Sequence, residues 1–388
     1  MTSKIGKRVQ GRGGRKPRNG IAAAHRIHEG ALRSHAEGRF EQARALCARS
    51  LRLLERESGA QDPDVANVLN TYGAVQQDLG RYAEAEAIFR RSVSIVEGLS
   101  GDIEMERLRV RSFTHLADIL RVQGRYGEAE PLFERALSLA EGAFGPDDLH
   151  LSSVLNGWAL LCRYSGRFDE AERLYRRALA VMETVLGSEH IEVATIYHNL
   201  GGLEHSRGCY EAGERYARRA VEIRQKTLGL DHPEVAADLA TLAAILDAQD
   251  KQEEAEEIYQ RALHVFESQR GQDNYDVAVN LNNLAALNYR RGNILLAEAF
   301  YWWALHLKEK ILGPDHPDTA MTLNNLAVLF QSRGDLEQAS SLFRRALDIL
   351  ETTLDPDHPK VAACRKNFEE LQRGTSKRDA LEGPSRNE

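Results

Sequence analysis

The sequence contains few of the residues on which disulfide-rich or metal-binding domains depend. Among its 388 residues are only four cysteines, and no two of them form a Cys-x-x-Cys pair. A disulfide framework and a metal site are therefore not expected. No stretch approaches the roughly 18 apolar residues that span a bilayer, and the basic N-terminus has no apolar run of the kind found in secretory signals. These absences predict a cytoplasmic protein without membrane contact.

Short catalytic motifs are also missing. The chain has no phosphate-binding loop, no His-Glu-x-x-His, no Gly-x-Ser-x-Gly and no cysteine-nucleophile signature. The prediction is a protein that is not an enzyme and needs no cofactor. The missing phosphate-binding loop, together with the lack of a helix-turn-helix pattern, also argues against the sensor fragment of a signalling ATPase.

Charge is unevenly distributed along the chain. The net charge is −7, but residues 1–20 carry seven Lys or Arg and no acid, which leaves −14 for the rest. An acidic body does not favour nucleic-acid binding. The basic arm leaves open an alternative function as a nucleic-acid-associated or signalling regulatory factor. Composition predicts that residues 1–20 and 374–388 are disordered.

A repeat with a period of 42 residues runs through most of the chain. Its marker is a glycine, replaced once by Asp250, and successive markers are 42 residues apart except for one interval of 44. The markers are Gly38, Gly80, Gly124, Gly166, Gly208, Asp250, Gly292 and Gly334. Apolar or small residues recur at spacings of three and four on both sides of each marker, which predicts two amphipathic helices per repeat. Glycine suits the left-handed end of a helix, and Asp can also adopt that conformation.

Two further features define the repeat. The positions seven before and five after each marker hold only Ala or Gly, and small side chains there let two helices approach closely. The links in residues 228–233 and 312–317 have the sequence Leu-Gly-x-Asp-His-Pro, in which Gly ends one helix and Pro suits the start of the next. The link histidines lie a repeat apart, so we interpret them as caps and not as metal ligands. They are His190, His232, His316 and His358.

These features together resemble the kinesin light chain class of tetratricopeptide repeats. The shared marks are the 42-residue period, paired Asn before Leu-Ala, an Ala-Glu second helix and the Leu-Gly-x-Asp-His-Pro link. The resemblance covers residues 21–372, although the coiled coil that precedes the repeats in kinesin light chains is not visible here. It implies an all-α fold, a right-handed superhelical solenoid of helix-turn-helix repeats with a concave groove that binds a protein or peptide. We predict eight repeats and a capping helix in residues 21–373.

The side of each first helix opposite its apolar stripe should face the groove. The candidate groove residues are Asn156, Asn199, Asn282, Asn283, Asn324, Asn325, Arg111 and Arg290. Because Asn both donates and accepts hydrogen bonds, a ladder of these side chains could hold the backbone of an extended peptide. The alternative is that the amides bond to one another between repeats and stiffen the array. The prediction is a scaffold or adaptor.

The second helix of the seventh repeat departs from the pattern of the others. It has Trp302 and Trp303 where most repeats have two Arg, and Leu295 and Leu296 where others have polar residues. Seven residues make two helical turns, so the four side chains share one face, opposite the buried stripe. An exposed apolar cluster usually marks an interface. We predict a second interface there, for a partner or for self-association, unless the tryptophans fold back over neighbouring helices.

Overall fold

The computed structural model describes residues 19–99, 101–145 and 148–382. Within these ranges it contains 17 helices and no strand. The helices are α1 (Asn19–Ala36), α2 (Phe40–Glu57), α3 (Pro63–Asp78), α4 (Tyr82–Glu97), α5 (Ile103–Val122), α6 (Tyr126–Phe144), α7 (Leu149–Tyr164), α8 (Phe168–Leu186), α9 (Ile191–Arg207), α10 (Tyr210–Leu228), α11 (Pro233–Ala248), α12 (Gln252–Arg270), α13 (Tyr275–Arg290), α14 (Ile294–Leu312), α15 (Pro317–Ser332), α16 (Leu336–Thr353) and α17 (Pro359–Glu382). The predicted set of helix pairs and one closing helix is confirmed.

Both predicted ends of the chain are described only in part. Residues 1–18 of the basic arm lie outside the described ranges, and α1 begins at Asn19. The closing helix α17 continues to Glu382, past residue 373, where the tail was expected to begin. Residues 383–388 also lie outside the described part of the chain.

The helices form a solenoid with the odd-numbered helices on its inner side. Each helix packs against the next one, and odd-numbered helices also contact the following odd-numbered helix. Contacts of comparable extent do not join successive even-numbered helices in the described ranges. The odd-numbered helices are therefore closer together and form the concave side, while the even-numbered helices form the convex side. This arrangement places the predicted groove helices on the inside of the curve.

The helix ends follow from the predicted turn and link residues. All eight repeat markers have left-handed φ angles, including Asp250 at 62°. In the links, the backbone N–H of Glu192 donates to Nδ1 of His190 at 3.2 Å. His232, His316 and His358 accept a bond from the residue two positions later in the same way. The predicted capping role of these histidines is confirmed.

The positions predicted to be small are points of close approach between helices. In the second repeat, Gly73 of α3 faces Phe89 of α4, and the phenyl ring occupies the space that a Cβ would need. In the fifth repeat, a Cβ on Gly213 would lie 3.1 Å from the backbone oxygen of Gly201. Small residues therefore set the distance between the two helices of a repeat.

A ladder of ion pairs crosses the boundaries between repeats. A basic residue next to the marker of one repeat contacts a glutamate on the outer helix of the preceding repeat. The pairs are Arg125–Glu86, Arg167–Glu130, Arg207–Glu172, Lys251–Glu214, Arg291–Glu256 and Arg333–Glu298. Each glutamate directly follows the small residue five positions after a marker. The Ala-Glu motif thus connects neighbouring repeats, a role that the sequence alone did not indicate.

Candidate peptide-binding groove

The predicted asparagines lie on the inner helices and form two separate clusters. Nδ2 of Asn199 donates to Oδ1 of Asn156 at 2.6 Å. In the C-terminal repeats, Nδ2 of Asn325 donates to Oδ1 of Asn282 at 3.2 Å. Asn324 is buried and donates to Oδ1 of Asn325 at 3.4 Å. The bonds from Asn199 to Asn156 and from Asn325 to Asn282 run between repeats, so part of the capacity of these amides is used within the array, as in the alternative interpretation.

The three remaining candidates lie in different surroundings. Asn283 on α13 is half-buried and has no hydrogen-bond partner within the described part of the chain. Arg111 on α5 donates to Oδ1 of Asn67 at 2.7 Å, and Arg290 on α13 forms an ion pair with Asp247. The two arginines belong to the third and seventh repeats, so the structure does not bring them together.

A recess of about 370 Å³ opens on the concave face at the sixth repeat. Ala237, Ala240 and Ala244 of α11 line it, together with apolar side chains that include Ile245 and Phe266. Ala237 and Ala240 stand at positions where every other repeat has a larger side chain. The recess was not predicted from the sequence, although the two alanines are the signal that could have revealed it. They also explain why the asparagine ladder is interrupted here.

Basic groups border one side of the recess. Arg163 of α7 and His205 of α9 both line it. Burial, together with the nearby charge of Arg163, lowers the pKa of His205. His198 also lines the recess, and its Nδ1 lies 2.8 Å from Oδ1 of the buried Asp238. This side therefore presents one permanent cation and imidazole groups to a ligand.

Two amides and the carboxylate of Asp276 border the opposite side of the recess. Asn280 is 1% exposed, and its Nδ2 donates to the backbone oxygen of Tyr259 at 2.7 Å. Oδ1 of Asn280 accepts no hydrogen bond from the described residues. Asn283 lines the recess beside it. The site thus combines an apolar floor with an unused acceptor and an unused amide, the groups that a peptide backbone can pair with.

The apolar cluster of the seventh repeat is exposed on the convex side. Leu295 is 79% exposed, Leu296 44%, and Trp302 and Trp303 39% each. The Trp302 ring meets Phe330 edge-on, with centroids 6.4 Å apart. The tryptophans thus partly cover neighbouring residues, yet all four side chains remain accessible.

Trp303 also interrupts a second series of ion pairs. At its position other repeats have an arginine that contacts a glutamate near the end of the preceding outer helix. These pairs are Arg91–Glu55, Arg135–Glu97, Arg177–Glu141 and Arg345–Glu309. The corresponding glutamate of the sixth repeat, Glu267, has no ion-pair partner among the residues described. The substitution of Trp for Arg therefore gives up one contact between repeats.

The described residues contain neither a metal-binding cluster nor a membrane-spanning helix. Across residues 19–99, 101–145 and 148–382, no three His, Cys, Asp or Glu side chains are grouped so that they could hold a metal ion. No helix in the same ranges is both long and apolar enough to cross a membrane.

Comparison with solved structures supports the same architecture. Repeats of a putative kinesin light chain from Podosopora anserina are 21% identical, with 54% of this chain and 99% of that chain covered and a TM-score of 0.44. A Rap protein complexed with Competence and Sporulation Factor is 15% identical, with 80% and 88% covered and a TM-score of 0.55. Yeast Tom70 is 18% identical, with 87% and 61% covered and a TM-score of 0.54. The two structures with TM-scores above 0.5 show a similar fold, and at these identities the likeness concerns the fold alone.

Sequence comparison identifies the repeat itself. No curated protein sequence matches the chain significantly. The family model of the tetratricopeptide repeat matches residues 21–98, 108–184, 192–268 and 276–352. Each match spans two of the helix pairs described above, and together they include most of the chain. The chain therefore belongs to the tetratricopeptide repeat family.

Proposed function

We propose that the protein is a non-enzymatic scaffold or adaptor that binds an extended segment of a partner protein in its concave groove. One apolar side chain of the segment occupies the recess, and its backbone pairs with Asn280 and Asn283. The observation that carries the proposal is the buried Oδ1 of Asn280, which has no donor within the described residues. An unsatisfied buried acceptor costs about 1–3 kcal/mol. Because this oxygen is covered in the structure, Asn280 must turn its amide towards the recess before a backbone N–H of a ligand can remove that cost.

The proposal extends to the other groove residues. Asn199 and Asn325 are half-buried, so each can still form a hydrogen bond with a bound peptide in addition to the one with its amide partner. Arg111 and Arg290 lie in different repeats and would contact charged groups at two separate points of a long segment. The Rap protein of similar fold, solved in complex with Competence and Sporulation Factor, supports a binding role. All four cysteines are unpaired, which supports a reducing, cytoplasmic location.

The test is selection of binders from a random peptide library, followed by affinity measurements on variants. Ala244→Leu fills the recess and should weaken a selected peptide by about tenfold or more, equivalent to about 1.4 kcal/mol. Ala74→Leu is the matched control, because Ala74 has the same position in the second repeat, away from the recess. The proposal fails if no peptide is enriched, or if the selected peptides bind Ala244→Leu and Ala74→Leu equally well.

We further propose that Leu295, Leu296, Trp302 and Trp303 form a second interface through which the protein associates with a partner or with itself. Their exposure, at positions where most other repeats have charged or polar residues, supports this role. The double variant Trp302→Arg/Trp303→Arg restores the residues found in other repeats, and Glu267 is available to pair with the second arginine. Sedimentation should then show loss of self-association. An unchanged oligomeric state and unchanged partner binding would rule out this interface.

A further inference from the structure

Two parts of the chain that are distant in sequence meet along one edge of the solenoid. The rings of Tyr82 and His316 contact edge-on, with centroids 6.0 Å apart. The backbone N–H of Asp355 donates to the backbone oxygen of Gln123 at 2.8 Å. Tyr82 begins the outer helix of the second repeat, and Gln123 lies in the turn of the third repeat. Their partners lie in the links before and after the eighth repeat. The array therefore curves far enough to touch itself.

Two glycines mark how closely these parts approach. A Cβ on Gly80 would overlap the imidazole of His316, and a Cβ on Gly124 would lie 2.8 Å from Cδ2 of His358. His316 lies 236 residues after Gly80, and His358 lies 234 residues after Gly124. The same contact is thus made twice, in neighbouring repeats and in nearly the same register.

Equivalent residues elsewhere in the array make no such contact. A Cβ on Gly166, Gly208 or Gly334 would meet no atom within 4 Å. The link histidines His190 and His232 cap their helices in the same way but stay half-buried, whereas His316 and His358 are 6% and 8% exposed. The difference comes from the curvature of the whole array, since the local structure of the links is the same.

We propose that these contacts form a clasp that closes the groove and controls entry of its ligand. One side of the clasp consists of Gly80, Tyr82, Gln123 and Gly124, and the other side consists of His316, Asp355 and His358. This inference rests on the proposed function of the groove. With the clasp closed, a segment enters only by its free end. With the clasp open, an internal segment of a partner can enter sideways.

The clasp has the properties of a contact that opens. Among the described residues it consists of the backbone bond from Asp355 to Gln123, a hydrogen bond between His358 and the backbone of Val122, and a few side-chain contacts. A cavity of about 440 Å³ lies beside it. Tyr82, Gln123 and Leu354 line that cavity, so the two edges do not pack fully against each other. Contacts inside a repeat, in contrast, bury a continuous cluster of apolar side chains. Opening the clasp therefore exposes the ring of Tyr82, which packs against the apolar cluster of the last two repeats, but it leaves every repeat intact.

The charges around the clasp histidines favour their neutral form. Burial lowers the pKa of both His316 and His358 to about 4, and Lys360 on α17 adds to both shifts. Lys308 on α14 also lowers the pKa of His316. Asp318 on α15 opposes the shift of His316. Asp355 and a hydrogen bond to the backbone of Val122 oppose that of His358, but burial outweighs both. Two neutral imidazoles can pack against the glycine turns without leaving a charge buried.

A comparison of glycine variants tests whether the clasp exists in solution. Gly80, Gly124 and Gly208 have φ angles of 72°, 85° and 80°, so alanine causes similar backbone strain at each. Only the first two alanines would also push against an imidazole. The double variant Gly80→Ala/Gly124→Ala should scatter X-rays as a longer particle and exchange the amide hydrogens of Asp315, His316 and Asp318 faster. Gly208→Ala should do neither, and equal behaviour of the variants would overturn the clasp.

A reversible crosslink tests whether the clasp controls entry. Gln123→Cys and Asp355→Cys should form a disulfide across the clasp, in a Cys209→Ser background that removes the exposed cysteine. The probes are a peptide selected from the random library, either free or placed between two folded domains. The free peptide should bind the oxidised and the reduced protein. The flanked peptide should associate with the oxidised protein at least about tenfold more slowly, because closure forbids sideways entry.

The outcomes separate the clasp from the groove. Equal association rates of the flanked peptide before and after oxidation would refute control by the clasp, as would failure of the two cysteines to form a disulfide. If the free peptide fails to bind the reduced protein, the proposed function of the groove is wrong. The scattering comparison then still decides whether the clasp forms.

Discussion

Replacing Gly73 with alanine should destabilise the second repeat although alanine is the better helix former. Gly73 lies within α3, and a Cβ there would overlap the ring of the fully buried Phe89. Overpacking of this kind costs about 1–3 kcal/mol. Gly30→Ala is the matched control, because Gly30 lies within the inner helix α1 and its Cβ would meet only Cδ1 of Leu46 at an ordinary 3.7 Å. That control should gain about 0.5–1 kcal/mol from helix propensity.

Both variants lose the same conformational entropy of glycine in the unfolded state. The difference between their free energies of unfolding therefore gives the contribution of packing. Urea unfolding gives the global effect, and hydrogen exchange of α3 and α4 gives the local one, because repeat arrays do not always unfold in one step. Phe89→Leu should partly rescue Gly73→Ala, with a coupling of about 1 kcal/mol or more. If Gly73→Ala is as stabilising as Gly30→Ala, the small positions do not set the helix separation and the packing argument is wrong.

Three further predictions follow from the charges. The clasp histidines have pKa values of about 4 when buried and 6.5 when exposed, so the closed state binds fewer protons. The clasp should be intact above pH 6.5 and open as the pH falls towards 4, seen as an increase in the radius of gyration. Burial alone would raise the pKa of Glu214, but hydrogen bonds from Lys251, Arg218 and Gln249 lower it to about 2. Glu214→Gln should therefore lower the opening free energy of α10 and α12, measured by hydrogen exchange, by about 1–2 kcal/mol. Glu253→Gln, at an exposed position, should leave it unchanged. Trp303→Arg should pair with Glu267 and leave the melting temperature unchanged within the small range typical of surface ion pairs; a large fall would show that Trp303 is needed for packing.

The sequence by itself determined the repeats, the helix pairs and the helix ends. These depend on contacts between residues close in the chain. The left-handed turn at Asp250 and the cap made by His190 each involve only a few neighbouring residues. The period of the apolar positions was enough to place the candidate asparagines on the inner helices.

The partners of those side chains were decided only by the tertiary structure. Asn156 and Asn199 are 43 residues apart, and whether they bond to each other or to a ligand depends on the distance between consecutive inner helices. The recess depends on the side chains of four consecutive repeats. The clasp depends on the rotation between repeats, which accumulates from the second to the eighth. A small change in the rotation between each pair of repeats would move His316 away from Gly80. No local pattern in the sequence encodes the sum of these rotations.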